Sequence, residues 1–161
     1  MEEIKKKLPI SLEEMLKKPL PSAAIKQHSQ KKYLSTIDPA YIIERLNDVF
    51  GIGGWHVEHE IILSNDSQIV VRGRLEIPHY EIKTSYQYGG WQDKNEKMEI
   101  GDRYKAAVTD CFGKCASYLG IGLDVYKGIQ KPKQESQQKT NQTTREPDVS
   151  NEELTNSDIP F

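Results

Sequence analysis

Three consecutive stretches of this chain alternate apolar and polar side chains with a period of two. Along residues 55–63, Trp55, Val57, Ile61 and Leu63 share one side, and His56, Glu58 and Glu60 lie between them. Along 68–77, Ile69, Val71, Leu75 and Ile77 flank Gly73, opposite Gln68, Val70, Arg72, Arg74 and Glu76. Along 80–88, Tyr80, Ile82, Tyr86 and Tyr88 oppose Glu81, Lys83, Ser85 and Gln87. Successive strand residues point to opposite faces, so the pattern predicts an antiparallel meander with one wet face, turning at Asn65-Asp66-Ser67 and at Pro78-His79. The dry face needs a cover. Residues 102–119 supply it, with Tyr104, Val108, Cys111, Cys115 and Tyr118 or Leu119 on one helical side, Asp102 as cap and Gly120 as stop. The predicted class is α+β: a three- to four-stranded antiparallel meander packed on one long helix.

The flanks read as follows. A first short helix is expected to be capped by Ser11 and Glu14, stapled by Ile10 on Met15, and ended by Pro19 and Pro21. Residues 31–37 read as a strand. Asp38-Pro39 then opens a second helix whose buried stripe is Ile42, Ile43, Leu46, Val49 and Phe50, with Gly51 closing it. From about 131 to 156 only Val149 and Leu154 are aliphatic, too little to offset the entropy of ordering, so this stretch is expected to be a disordered polar linker. The chain thus divides into an N-terminal helix and arm (1–25), a folded domain (26–130), the linker (131–156) and an apolar tip (157–161).

Charge is unevenly distributed. Residues 1–133 hold 20 Lys+Arg against 18 Asp+Glu, while 134–161 hold 2 against 6, so a mildly basic body carries an acidic tail. No apolar run is long enough for a membrane span and the cationic start lacks an apolar stretch behind it, which predicts a cytoplasmic protein. Cys111 and Cys115, the two cysteines, are spaced four apart on a helix and read as reduced core residues.

No catalytic constellation stands out, and a non-enzyme without cofactor or metal is expected. His56 and His59 fall on opposite faces of a strand, wrong for one metal. Neither GIGG (51–54) nor GIG (120–122) has a phosphate loop's surroundings. Asp66 with Glu81 and Lys83 resembles a loose metal-nuclease pattern, which any charged strand face also produces. The cations offer more: Arg72, Arg74 and Lys83 on the wet strand faces, Lys26, Lys31 and Lys32 near the first strand, and Arg103 and Lys114 three helical turns apart. With Tyr33, Tyr86, Tyr88 and Trp91 nearby, they suit a groove that neutralises phosphates and stacks bases.

Two separated motifs sharpen this. GDRYKAAVTDCFGKCASYLGIGLDVY (101–126) and YLSTIDPAYIIERLNDVFGIGGW (33–55) resemble the Rad-fifty-two-type single-strand annealing proteins, especially their bacterial and phage branch, over about residues 26–126. The resemblance implies an annealing domain at 26–130 that assembles into rings or filaments. It also implies a basic groove holding single-stranded DNA, and annealing in recombination and repair without ATP or metal. The family's paired basic positions after Thr-Asp-x fall on Gly113 and Lys114, so one is cationic here; a further one falls on Ser117 and another near Lys26. Arg72, Arg74 and Lys83 would then make up the groove.

The final Asp158, Ile159, Pro160 and Phe161 are similar to the end of bacterial single-stranded-DNA-binding proteins, whose tips dock on repair partners. The likeness implies a tip that recruits host proteins recognising such ends, with Phe161 filling an apolar pocket and Asp158 steering. It also raises a rival reading, an OB-fold single-stranded-DNA-binding protein. An OB barrel needs about five strands and would not close on so long a helix.

Overall fold

A computed structural model describes residues 8–28, 33–92 and 98–132. Lys31, Lys32, the linker beyond 132 and the tip residues Asp158, Ile159, Pro160 and Phe161 lie outside the described residues. The elements run α1 (Ile10–Lys17), β1 (Ile25–Gln27), β2 (Ser35–Ile37), α2 (Pro39–Phe50), β3 (His56–Ser64), β4 (Gln68–Ile77), β5 (Ile82–Lys83), β6 (Gln87–Gln92), α3 (Ile100–Tyr118) and α4 (Leu123–Tyr126). The α+β architecture expected from the alternating segments and the long helix is present. Among the described residues no helix is long and apolar enough to cross a membrane.

The main sheet is three lanes wide. β4 is central, pairing antiparallel with β3 on one side and with β5 and then β6 on the other. Helix α3 lies on β4 and β6. Ile69, Val71, Leu75 and Ile77 of β4 are fully buried against Ala107, Cys111, Cys115 and Ala116 of α3 and the rest of the core. Each large aliphatic side chain so buried contributes about 1.5–3 kcal/mol relative to exposure. Both cysteines are free and buried. The neighbouring Cys115 thiol, then burial, push the Cys111 thiol up, so it stays protonated.

Two one-residue slips alter the predicted faces. In β3, Ile61 pairs with Val71 but Leu63 pairs with Val70, so Ile62 is an extra residue and Leu63 moves to the outer face. In the third lane, Lys83 pairs with Glu76 and Gln87 with Gly73, so residues 84–86 stand opposite only Arg74 and Leu75. Thr84 fills the gap, its amide donating to the Leu75 carbonyl and its hydroxyl accepting from the Leu75 amide at 3.0 Å. A slip of one residue exchanges the faces of everything beyond it. Tyr88 therefore faces outward beside Arg72, where the groove reading needs it and not on the dry face to which the alternation assigned it, while Gly89 and Trp91 take the inner face.

Helix α2 starts and stops as predicted: the Asp38 carboxylate accepts from the Ala40 amide at 3.1 Å, and Gly51 leaves the helix at φ 80° while its amide reaches the Asn47 carbonyl. Of its predicted stripe, Ile43 is exposed. The Ser11 cap and the Ile10–Met15 staple do not form. The first turn opens two residues earlier, on the Pro9 carbonyl, which leaves Ile10 and Met15 exposed. What ties α1 down is Arg45 of α2, whose guanidinium donates to the carbonyls of Met15, Leu16, Lys18 and Pro19 and so satisfies the helix's free C-terminal groups. Of the strand predicted at 31–37, the described residues form β2 at Ser35–Ile37, and it pairs with the unpredicted β1 in a separate two-stranded sheet.

Candidate nucleic-acid interface

Gly89 decides how closely α3 approaches β6. A Cβ on it would stand 2.2 Å from the Ala107 carbonyl oxygen and 2.3 Å from the Cys111 amide nitrogen, so only hydrogen fits between strand and helix. That approach lets α3 reach the free edge of β6. The Asp110 carboxylate accepts from the Gly90 amide at 3.0 Å, and Lys114 Nζ donates to the Tyr88 carbonyl at 2.9 Å and to Asp110 at 2.8 Å. The Cys111 thiol donates to the Gln87 carbonyl. An edge that would otherwise offer unpaired backbone groups is closed by side chains of one helix. Lys114 uses two of its three N–H donors this way and its side chain remains half-exposed.

The outer sheet face carries the other cations. Arg72 pairs with Glu60 across β3 and β4; Arg74 pairs with Glu58 and Glu76; Lys83 of β5 and His56 of β3 also meet Glu76, at 3.0 Å each. The Glu76 carboxyl is held below its ordinary value, first by the Lys83 hydrogen bond, with Arg74 and His56 adding to it. The Arg72 and Arg74 guanidiniums both lie over the Tyr86 ring, 4.7 and 4.9 Å from its centroid. Glu60, and then the Tyr88 hydroxyl, hold Arg72 in its charged form. Three carboxylates, Glu58, Glu60 and Glu76, thus match three permanent cations, Arg72, Arg74 and Lys83, on this face.

These residues form one continuous strip. Lys83, Arg74, Tyr86, Arg72 and Tyr88 follow one another across β5, β4 and β6, and Lys114 adjoins the strip through the Tyr88 carbonyl. Arg103 lies further along the same helix and is tied in place: it donates to the Met98 and Asp66 carbonyls and its guanidinium covers the ring of the buried Trp91 at 4.7 Å. Trp91 is therefore core. Lys26 is elsewhere, on the two-stranded sheet, paired to Asp38 at 2.8 Å; that contact raises the Lys26 pKa and, together with the Ala40 amide, lowers that of Asp38.

The nuclease pattern does not assemble. Asp66 is in the β3–β4 turn and Glu81 beyond the other end of β4, so the ten-residue strand (about 30 Å at 3.3 Å per residue) separates them, and Lys83 is committed to Glu76. Among the described residues no three His, Cys, Asp or Glu side chains are grouped to hold a metal. Nor do the described residues form an OB barrel: their main sheet is open and a 19-residue helix packs on it.

The family model for the Rad52/22 family double-strand break repair protein matches residues 9–145. No curated protein matches the chain.

Proposed function

The chain belongs to the Rad52/22 family of double-strand break repair proteins, and on that premise we propose that it binds single-stranded DNA and anneals complementary strands without ATP or metal. The observation that carries this reading is the continuous strip from Lys83 through Arg74, Arg72 and Tyr88 to Lys114. It gives a sugar-phosphate chain several cations and two rings to follow.

The charge balance on the outer face is compatible with this role. Exposed ion pairs such as Arg72–Glu60 are worth only about 0–1 kcal/mol, so a phosphate can replace a carboxylate on each guanidinium at little cost. Before DNA arrives, the carboxylates keep the guanidiniums aligned. No bond need be made or broken. Annealing requires one strand to be held extended while its partner pairs, and copies of the chain arranged in a ring or filament would lengthen the track. In this reading residues 26–130 are the annealing domain and the protein is not an enzyme. It acts in the cytoplasm of a bacterial or phage-infected cell.

The acidic segment leading to Asp158, Ile159, Pro160 and Phe161 then serves as a tether that brings host repair proteins to the annealing site. The test is annealing of complementary labelled oligonucleotides without ATP, with Mg²⁺ and with EDTA, beside a sizing measurement. Faster pairing by an oligomer, equal in both buffers and without cleavage, is expected; a monomer that leaves the pairing rate unchanged overturns the proposal. Removal of 159–161 is expected to abolish capture of host repair proteins and spare annealing.

A further inference from the structure

Two tyrosines of the third lane share the outer face, and they are not equivalent. Tyr86 is occupied, since two guanidiniums lie over its ring. Tyr88 is more than half exposed, and among the described residues no other ring and no cation lies against its face. Its surroundings are nevertheless fixed. Its carbonyl is bonded to Lys114, its neighbour across the sheet is Arg72, and the next two positions, Gly89 and Gly90, have no side chain that would screen it.

An exposed aromatic ring costs solubility and gives nothing to the core. The one-residue slip at 84–86 is what places it there, because an unbroken alternation would bury it. Resting on the annealing reading, we propose that Tyr88 is a nucleobase-stacking residue: one base of the bound strand lies on its ring, with the phosphates on either side meeting Arg72 and Lys114. Stacking engages the face of a base and leaves its pairing edge in solvent, which is what a strand awaiting its complement requires. Every base has such a face, so the contact is blind to sequence. Gly90, exposed and bare, leaves room for the base plane to extend past the ring.

The test compares an oligothymidylate with an abasic deoxyribose-phosphate strand of the same length, titrated by fluorescence anisotropy at several salt concentrations. Wild-type protein is expected to prefer the base-bearing strand by roughly ten-fold or more. Tyr88→Ala is expected to lose that preference while keeping the salt slope, and Tyr88→Phe to keep both. A Tyr88→Ala protein that melts like the wild type and still prefers the base-bearing strand to the same extent overturns the stacking role and leaves the annealing reading standing. If the wild type binds neither strand, the annealing reading fails and takes this proposal with it. Should Tyr88→Ala melt early, Tyr88→Leu, which keeps bulk without a π face, carries the comparison.

Discussion

Gly89 and Ala107 stand so close that a side chain on the first would collide with the carbonyl oxygen of the second, at 2.2 Å. That contact is between two backbones, and neither can swing aside as a side chain would. Gly89→Ala is therefore expected to push α3 off β6 and cost several kcal/mol, in the range of severe overpacking, lowering the thermal midpoint by about 10 °C. Gly90→Ala is the control. Its Cβ would meet only the Ile69 carbonyl at 3.6 Å, and the melt should stay near wild type.

Asp110 and Lys114 close the β6 edge together, so their loss should separate stability from DNA affinity. Asp110→Ala frees the Gly90 amide and one Lys114 donor at a half-exposed site, a cost of about 1 kcal/mol in urea unfolding. Lys114→Ala should weaken single-strand binding and reduce the log–log salt slope by about 0.7, the share of one phosphate contact. An unchanged slope would remove Lys114 from the interface.

If phosphates displace the carboxylates that hold Arg72 and Arg74, removing the competitors should help the strand. Glu60→Gln and Glu58→Gln are expected to tighten binding several-fold and steepen its salt dependence. Arg72→Ala and Arg74→Ala should do the reverse. Weaker binding by both glutamine variants would show that the carboxylates' alignment of the guanidiniums matters more than their competition.

Acid should loosen the fold in a defined window. Glu76, through Lys83 first, and Asp38, through Lys26 first, both ionise more readily folded than unfolded. Their contribution is complete above the ordinary values of 4.5 and 3.8 and disappears as pH falls through the lowered folded values. The urea midpoint should therefore decline below about pH 4.5, and Glu76→Gln should flatten that decline.

Much of this arrangement was legible in the residues. β4 was readable end to end because Ile69, Val71, Leu75 and Ile77 never leave phase, and Asp38-Pro39 and Gly51 marked α2 by their own chemistry. Thr84 and Ile62 gave no such signal: each adds one residue to a lane, and a single extra residue preserves composition while reversing every later face. The alternation for that reason put Tyr88 on the dry face even as the groove reading counted it among the stacking rings; Trp91, counted there with it, is core. The Arg45 anchor escaped notice because its partners are backbone carbonyls, which any sequence possesses. Pairing of Arg72 with Glu60 and of Arg74 with Glu58 depends on the β3–β4 register, visible only once the turn at Asn65 is placed. Lys31, Lys32 and the terminal Asp158, Ile159, Pro160 and Phe161 lie outside the described residues.

The extra residue at 84–86 bears on how a gene for this fold can change. Gain or loss of one codon there would exchange Tyr88 and Trp91 between oil and water in a single event, whereas most replacements of Ser85 would pass unnoticed. Length, more than spelling, is the inherited quantity in that stretch.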